Sequence, residues 1–222
     1  MFSTVLRLKG SELTSRHWLM KALGDLCRSN PLSAHCYAIY YLTYESDRAE
    51  ILLLVSHGDI ESYVLVWYGG EFIIQDVYEV HIWNPTREVM RQIVISPCKR
   101  ADIQLYNSTS SDVEAVMKYF RSLGFKKFRT EEFYDMVCDC SSFSPSPLEK
   151  LAVKLGEEYA PLYRDLEFGR GIEITLDEVG EILEKYTHYG VIVNNILASI
   201  VARYVTLPWI HVLGGVFTRR KI

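Results

Sequence analysis

The sequence contains no long apolar run and no strong excess of one charge. No stretch approaches the roughly 18 apolar residues that a membrane-spanning helix needs. The first residues, MFSTVLRLKG, lack the charged region, apolar core and cleavage site of a secretory signal. The net charge of -4 at pH 7 argues against a nucleic-acid binder, which usually carries a basic face. We therefore expect a cytoplasmic protein with neither nucleic acid nor a membrane as its partner.

The sequence also lacks a cysteine pattern that would hold a disulfide framework or a metal ion. Its 5 cysteines are an odd number without regular spacing. Cys138 and Cys140 lie close together, but no second pair exists to complete a zinc site. We therefore predict no metal and interpret both thiols as packing residues on a strand.

What is present is an ordinary globular composition, with 222 residues, 49% hydrophobic and 23% charged. This length suits one large domain or two small ones. The stretch SSFSPSP, residues 141–147, is the segment most typical of a linker. We therefore predict two domains, over residues 1–142 and 143–222.

The first half is predicted to contain a helix followed by an antiparallel meander of strands. Residues 11–29 carry leucines on one side of a helix. The aromatic stretch HCYAIYYLTY, residues 35–44, is typical of a strand. The segments AEILLLVS, SYVLVWY and EFIIQDV continue the meander and are separated by glycine-containing turns. Towards the end of this half, KKFRTEEFYDMVCDC alternates charged and apolar residues as a half-buried strand does.

The second half is predicted to repeat this order of elements. Residues 148–155 are expected to form a short helix. Thr175 and Glu178 form a capping box, which predicts the start of a helix. Three strands follow, YGVIVNN, ILASIVARYVTL and WIHVLGGVFT, and Asn194-Asn195 suits the first hairpin turn. The two halves thus share the order of a helix followed by a meander, but this order is not accompanied by a repeat of the residues themselves.

The strands of the second half resemble those of the GNAT superfamily of N-acyltransferases. The segments that carry the resemblance are GVIVNN, ILASIVARYV and WIHVLGGVFT, and its specific part covers residues 175–222. The two-domain glycine N-acyltransferase-like group has two GNAT-type halves, of which the second is catalytic. The resemblance implies an α+β fold of two tandem GNAT-like domains, each with a mostly antiparallel central sheet flanked by helices. It also implies that the first domain is non-catalytic.

The resemblance implies transfer of an acyl group from acetyl-CoA, or another acyl-CoA, to an amine by direct attack. In the family, the strand that ends like GGVFT pairs with the pantetheine arm, and a basic loop then holds the phosphates. The cofactor contacts implied here are Gly215, Val216, Phe217, Thr218, Arg219 and Arg220. His211 is a candidate base, since a pKa near neutrality suits deprotonation of an amine. A solvent-facing or packing role for this imidazole is the alternative.

The sequence departs from the family pattern at its end. The family continues with an Arg/Gln-x-x-Gly-x-Gly/Ala loop and a helix, and the sequence stops at Ile222 before such a loop. We therefore expect the second domain to be incomplete. The alternative function is a non-catalytic GNAT-like binding or dimerisation module, with a homodimer formed through the open sheet edge. A regulatory domain that binds a small metabolite is a third alternative.

Overall fold

The structure is a computed structural model of the 222-residue chain. It describes residues 4–10, 12, 17–71, 74–97, 99–138, 141, 144–147 and 149–219. The chain divides into two compact units, Met1–Met136 and Val137–Ile222, called unit 1 and unit 2 below. The domain boundaries predicted from the linker composition, residues 1–142 and 143–222, stay predictions.

Unit 1 combines one five-stranded sheet with four helices over its described residues. The strands are β1 Thr4–Lys9, β2 Ala49–Ser56, β3 Asp59–Glu71, β4 Ile74–Trp83 and β5 Arg100–Tyr106. The helices are α1 His17–Ser29, α2 Ser33–Tyr44, α3 Arg87–Met90 and α4 Ser110–Ser122. The strands lie in the order β1-β2-β3-β4-β5. Neighbouring strands are antiparallel except β4 and β5, which run parallel.

One hydrophobic cluster of unit 1 covers one face of this sheet. Alternate residues of β2, β3 and β4 point into it, as the period of two requires. Phe120 of α4 and Val89 of α3 are both 0% exposed and pack on the same cluster. Phe120 and Val89 therefore fix α4 and α3, respectively, to the sheet.

The strand predicted over residues 35–44 is wrong, because this segment forms helix α2. Its buried residues are Ala34, His35, Cys36, Ala38, Ile39, Tyr41 and Leu42. They cover most sides of the helix, so the sequence shows no single apolar stripe, and the aromatic residues favoured a strand. The helix is held by tertiary contacts. The Tyr63 hydroxyl lies 2.8 Å from His35 Nδ1, and the Tyr41 hydroxyl donates to Glu79 Oε2 at 3.0 Å.

Within its described residues, unit 2 combines a four-stranded antiparallel sheet with two helices. The strands are β6 Ala152–Leu155, β7 Thr187–Val193, β8 Ile196–Leu207 and β9 Ile210–Thr218, in the order β6-β7-β8-β9. The helices are α5 Ala160–Gly169 and α6 Leu176–Lys185. Two short 3-10 turns, Glu149–Leu151 and Glu157–Tyr159, precede β6 and α5. The helix predicted over residues 148–155 is therefore wrong, since most of that segment is the turn and β6.

Several local predictions for unit 2 are confirmed. Thr175 Oγ1 accepts a hydrogen bond from the backbone N–H of Glu178, and the Glu178 side chain accepts from the Thr175 N–H. This reciprocal pair starts α6. Asn194 and Asn195 have φ values of 51° and 60° and form the turn between β7 and β8. Asparagine tolerates this left-handed conformation better than most residues do.

The strand predicted at the end of the first half is wrong over its described part. Residues 125–138 form neither helix nor strand, and Tyr134 and Met136 are 79% and 93% exposed. An alternating pattern specifies a strand only where a neighbouring strand pairs with it and one face is buried. Cys138 is exposed, so it is not a packing residue, and Cys140 lies outside the described residues.

The α+β class, with two sheets flanked by helices, is confirmed. In both units a strand is followed by two helices and then by three antiparallel strands, which extends the predicted repeat of element order. Within the described residues, no helix is both long and apolar enough to cross a membrane. The cytoplasmic location stays a prediction.

Candidate functional site

The strand singled out by the sequence, β9, lies at an edge of the unit 2 sheet. Among the described residues it pairs with β8 and with no other strand. A strand paired on one side leaves the N–H and C=O groups of its other side without a sheet partner. This edge therefore offers a row of backbone donors and acceptors.

The pairing of β9 with β8 is interrupted by a bulge at the two glycines. Ala202 pairs with Gly214 and Ile200 pairs with Phe217, so Gly215 and Val216 together oppose one residue of β8. Gly215 has a φ of 58°, a conformation that residues with a side chain rarely adopt. An extra residue in one strand leaves the ladder locally unpaired and bends the strand.

Tyr204 explains why Gly214 and Gly215 both lack a side chain. This residue is itself extra on β8, since Arg203 pairs with Leu213 while Val205 pairs with Val212. A Cβ added to Gly214 would lie 2.8 Å from Tyr204 Cε2, and one added to Gly215 would lie 2.5 Å from Tyr204 Oη. The ring thus approaches the backbone closely and excludes side chains there.

The side chains of β9 differ in what they contact. Leu213 and Val216 are 63% and 73% exposed. Phe217 instead packs against the core of unit 2, and the guanidinium carbon of Arg170 lies 4.9 Å from the centre of its ring. Phe217 therefore anchors the strand, while Leu213 and Val216 remain accessible.

Of the two arginines implied as phosphate contacts, the structure describes Arg219 alone. Arg219 donates from Nη2 to Asp165 Oδ2 at 2.7 Å and from Nε to the Leu197 carbonyl at 3.0 Å. Its backbone N–H donates to the Ala198 carbonyl at 2.8 Å. The guanidinium is thus engaged in holding the end of β9 to α5 and β8. Arg220 lies outside the described residues.

His211 lies near the start of β9, opposite Thr206, and is exposed. Thr218 lies at the far end of the strand, opposite Ser199. The structure thus places His211, Gly215, Val216, Phe217 and Thr218 along one strand. An exposed imidazole beside an open edge can take a proton from a molecule bound along that edge.

A second polar constellation lies in unit 1, and the sequence analysis missed it. Glu79 and His81 are two residues apart on β4, so their side chains lie on the same face of the strand. Glu79 Oε1 lies 2.7 Å from His81 Nε2. The Tyr106 hydroxyl lies 3.3 Å from His81 Nδ1, and burial raises the pKa of this phenol above its usual range. Tyr37 stacks on the imidazole with ring centres 4.8 Å apart. The two-residue spacing of Glu79 and His81 was the available signal, but the misassigned segment 35–44 hid the aromatic partners.

This unit 1 cluster is closed. His81 is 0% exposed and Tyr106 is 4% exposed, and the hydrogen bonds above connect their polar atoms. Such a network specifies the packing of α2 on β4 and β5. Across the part of the chain that the structure describes, no group of three or more His, Cys, Asp or Glu side chains is arranged to hold a metal ion.

Comparisons with known proteins place the chain by fold alone. No family model matches the sequence, and no curated protein matches it. A Drosophila protein of known crystal structure is similar over 99% of this chain and 80% of its own, with a TM-score of 0.53 and 12% identity. A tandem GNAT protein from the clavulanic acid biosynthesis pathway is similar over 100% of this chain and 80% of its own, with a TM-score of 0.40 and 13% identity. A ribosomal-protein-alanine N-acetyltransferase from Brucella melitensis matches over 60% of this chain and all of its own (100%), with a TM-score of 0.29 and 11% identity.

Proposed function

We propose that this protein transfers an acyl group from acetyl-CoA, or another acyl-CoA, to an amine, and that β9 of unit 2 holds the donor. The observation that carries the proposal is the glycine bulge on an edge strand. Gly215 and Val216 lie outside the regular pairing with β8, and the other side of β9 is open among the described residues. The strand therefore has backbone groups free to bind a ligand.

The pantetheine arm of coenzyme A suits such an edge. It contains two amides separated by short alkyl segments, so it can pair with a strand as an added strand does. Leu213 and Val216, both exposed, would cover its alkyl parts. Gly215 permits close approach because no Cβ stands between the ligand and the backbone.

The reaction would require no covalent intermediate on the protein. The amine nitrogen attacks the thioester carbonyl carbon, and a new C–N bond forms. The C–S bond then breaks, and coenzyme A leaves as a thiolate that takes up a proton. A backbone N–H of residues 213–218 would stabilise the oxyanion formed during the attack. His211 would accept the proton that the amine loses.

The phosphate end of the donor would lie beyond Thr218, near Arg219 and Arg220. In this arrangement the carboxylate of Asp165 competes with the phosphates for the Arg219 guanidinium. Substituting Asp165→Asn should release the guanidinium and tighten acyl-CoA binding by roughly threefold, the magnitude of an exposed ion pair. Glu181→Gln removes the same charge from the exposed face of α6 and serves as the matched control.

The first experiment is a titration of the purified chain with acetyl-CoA, followed by calorimetry and by thermal unfolding. A ligand that binds only the folded state must raise the Tm. The proposal is overturned if saturating acetyl-CoA gives neither heat nor a Tm shift. With binding established, release of the coenzyme A thiol in the presence of a panel of primary amines measures transfer. His211→Ala should lower that rate about 100-fold.

A second candidate function is a dimerisation module, favoured by the exposed Leu213 and Val216 on the open edge. Exposed edge strands pair readily with other chains. Light scattering would then give twice the chain mass of 25.7 kDa. Val216→Lys should return the protein to a monomer without an effect of acetyl-CoA on the Tm. A monomer whose Tm rises with acetyl-CoA contradicts this second candidate.

A further inference from the structure

The proposed reaction makes no use of a buried carboxylate near the end of α5. Glu167 lies in the last turn of this helix and is 5% exposed. Burial disfavours an ionised carboxylate, and the negative end of the helix dipole adds to the cost. A group of opposite charge must therefore compensate the carboxylate.

Arg170 supplies that charge. Its Nη1 donates to both carboxylate oxygens of Glu167, at 2.8 and 2.9 Å. The turn that ends α5 places this arginine, since the backbone N–H groups of Arg170 and Ile172 donate to the Glu167 carbonyl at 2.9 and 3.0 Å. Gly171 permits the turn, because its φ is 80°. The side chain and the backbone of Glu167 thus both fix the position of the guanidinium.

The Arg170 guanidinium in turn lies against β9. Its central carbon is 4.9 Å from the centre of the Phe217 ring, which is within the range of a cation–π contact. Phe217 directly follows Gly215 and Val216, and it is the residue at which pairing with β8 resumes, opposite Ile200. A contact on the Phe217 ring therefore holds the strand where the bulge ends.

The ion pair between Asp165 and Arg219 also joins α5 to the end of β9, but its surroundings differ. The Asp165 side chain is 65% exposed, whereas that of Glu167 is 6% exposed. An exposed ion pair contributes little, while removal of the partner of a buried carboxylate leaves an uncompensated charge. The position of β9 should therefore depend more on Glu167 and Arg170 than on Asp165.

We propose that Glu167 and Arg170 are positioning residues for the acyl transfer, and that they act through Phe217 on the backbone of the bulge. This inference rests on the proposed function. A backbone N–H of β9 must point to the place where the oxyanion forms, and a small displacement weakens that hydrogen bond in the transition state above all. Loss of the Arg170 contact should therefore slow the transfer more than it weakens acyl-CoA binding, which is spread along the strand.

The test is Arg170→Lys in the full chain, which keeps the positive charge but loses the planar group that stacks on the ring. Without any ligand, hydrogen exchange should be about tenfold faster at the protected N–H groups of residues 217–219. The Arg219 N–H, which donates to the Ala198 carbonyl at 2.8 Å, is one of them. The transfer rate at saturating acetyl-CoA should fall about tenfold, while the acetyl-CoA affinity measured by calorimetry should change by less than about twofold. Arg164→Lys makes the same substitution at an exposed position of α5 and should change none of these quantities.

The outcomes separate this inference from the proposed function. Absence of acetyl-CoA binding by the wild-type protein overturns the proposed function and the inference with it. In a protein that binds acetyl-CoA, unchanged hydrogen exchange or an unchanged transfer rate in Arg170→Lys overturns the inference alone, as do equal changes in Arg164→Lys. A parallel loss of Tm, acetyl-CoA affinity and transfer rate in Arg170→Lys would mean that the arginine only stabilises unit 2, and it would also overturn the inference.

Discussion

Strands β4 and β9 occupy the same place in two similar series of elements, yet their surroundings differ. Each is the last of three antiparallel strands that follow a strand and two helices. β4 pairs with β3 on one side and with β5 on the other. β9 pairs with β8 alone among the described residues, and a bulge interrupts that pairing.

The two strands also differ in the burial of their side chains. Val80 and Ile82 of β4 are both 0% exposed, whereas Leu213 and Val216 of β9 are 63% and 73% exposed. A repeated order of elements therefore does not give its members the same role. Val80 and Ile82 of the paired strand belong to the core, whereas Leu213 and Val216 of the edge strand are accessible.

The largest expected difference comes from the same substitution in both strands. Val80→Asp places a charge in the core and should lower the free energy of unfolding by about 3–5 kcal/mol. Val216→Asp should change it by no more than about 0.5 kcal/mol. Urea unfolding of both variants checks the contrast. Equal losses would mean that β9 is buried in solution, for example by a partner chain.

Acidification should weaken unit 1 through a buried histidine. Burial lowers the pKa of His35 to about 4, while the charge of Asp135 acts in the opposite direction. The unfolded chain then binds a proton that the folded chain does not, so stability is complete above about pH 6.5 and falls as the pH approaches 4. Between about pH 7 and pH 5 this single group should cost roughly 2 kcal/mol.

His35→Gln is the check on this pH dependence, because glutamine has no proton to gain in this range. The slope of unfolding free energy against pH should be smaller in the variant by the His35 contribution. Burial also lowers the pKa of His188 in unit 2. His188→Gln should therefore flatten the pH profile in the same direction, and identical slopes in wild type and both variants would contradict the account.

Gly215→Ala tests the bulge that distinguishes β9. The positive φ and the contact with Tyr204 should together cost about 1–3 kcal/mol. Tyr204→Phe removes the hydroxyl that the new Cβ would meet at 2.5 Å, and leaves the ring carbon at 3.4 Å. The cost of Gly215→Ala should be smaller in the Tyr204→Phe background, since only the backbone strain remains. Equal costs in both backgrounds would show that Tyr204 does not constrain this position.

The smallest effects are expected at the helix starts, where the two units are alike. Thr109→Ala should lower the stability of unit 1 by about 1 kcal/mol through loss of a capping box. Thr175→Ala removes the equivalent box of unit 2 and should act in the same direction.

These two boxes also depend on pH. Hydrogen bonds from the backbone N–H and then the hydroxyl of each threonine lower the pKa of Asp112 and of Glu178. The stabilisation is present above the unfolded pKa of about 4 and is lost as the pH falls through the folded value. The difference between wild type and each threonine variant should therefore shrink in acid. A difference that grows in acid would contradict the assignment.

The sequence by itself determined the features whose causes are local. Thr175 and Glu178 specify the start of α6, and Asn194-Asn195 specifies a hairpin, because the atoms involved lie within four residues of each other. The apolar segments of β2, β3 and β4 were likewise readable, and Gly58 lies in the turn between β2 and β3 as predicted. The turn predicted at Gly69-Gly70 is wrong, because both residues lie within β3. The capping box of Thr109 and Asp112 is equally local. However, Ser111 and Glu114 fit the same sequence motif, so the motif alone did not identify the first residue of α4.

The tertiary structure alone decided the features whose causes are distant in the sequence. Residues 35–44 became helix α2 because β3 and β4 supply partners for His35 and Tyr41, and intrinsic preference is weaker than such packing. Residues 125–138 pair with no strand in the described part of the chain, although their alternating pattern is that of one. The glycines of β9 were visible in the sequence. The reason that glycine is required there was not visible, because it is the ring of Tyr204, a residue on the neighbouring strand.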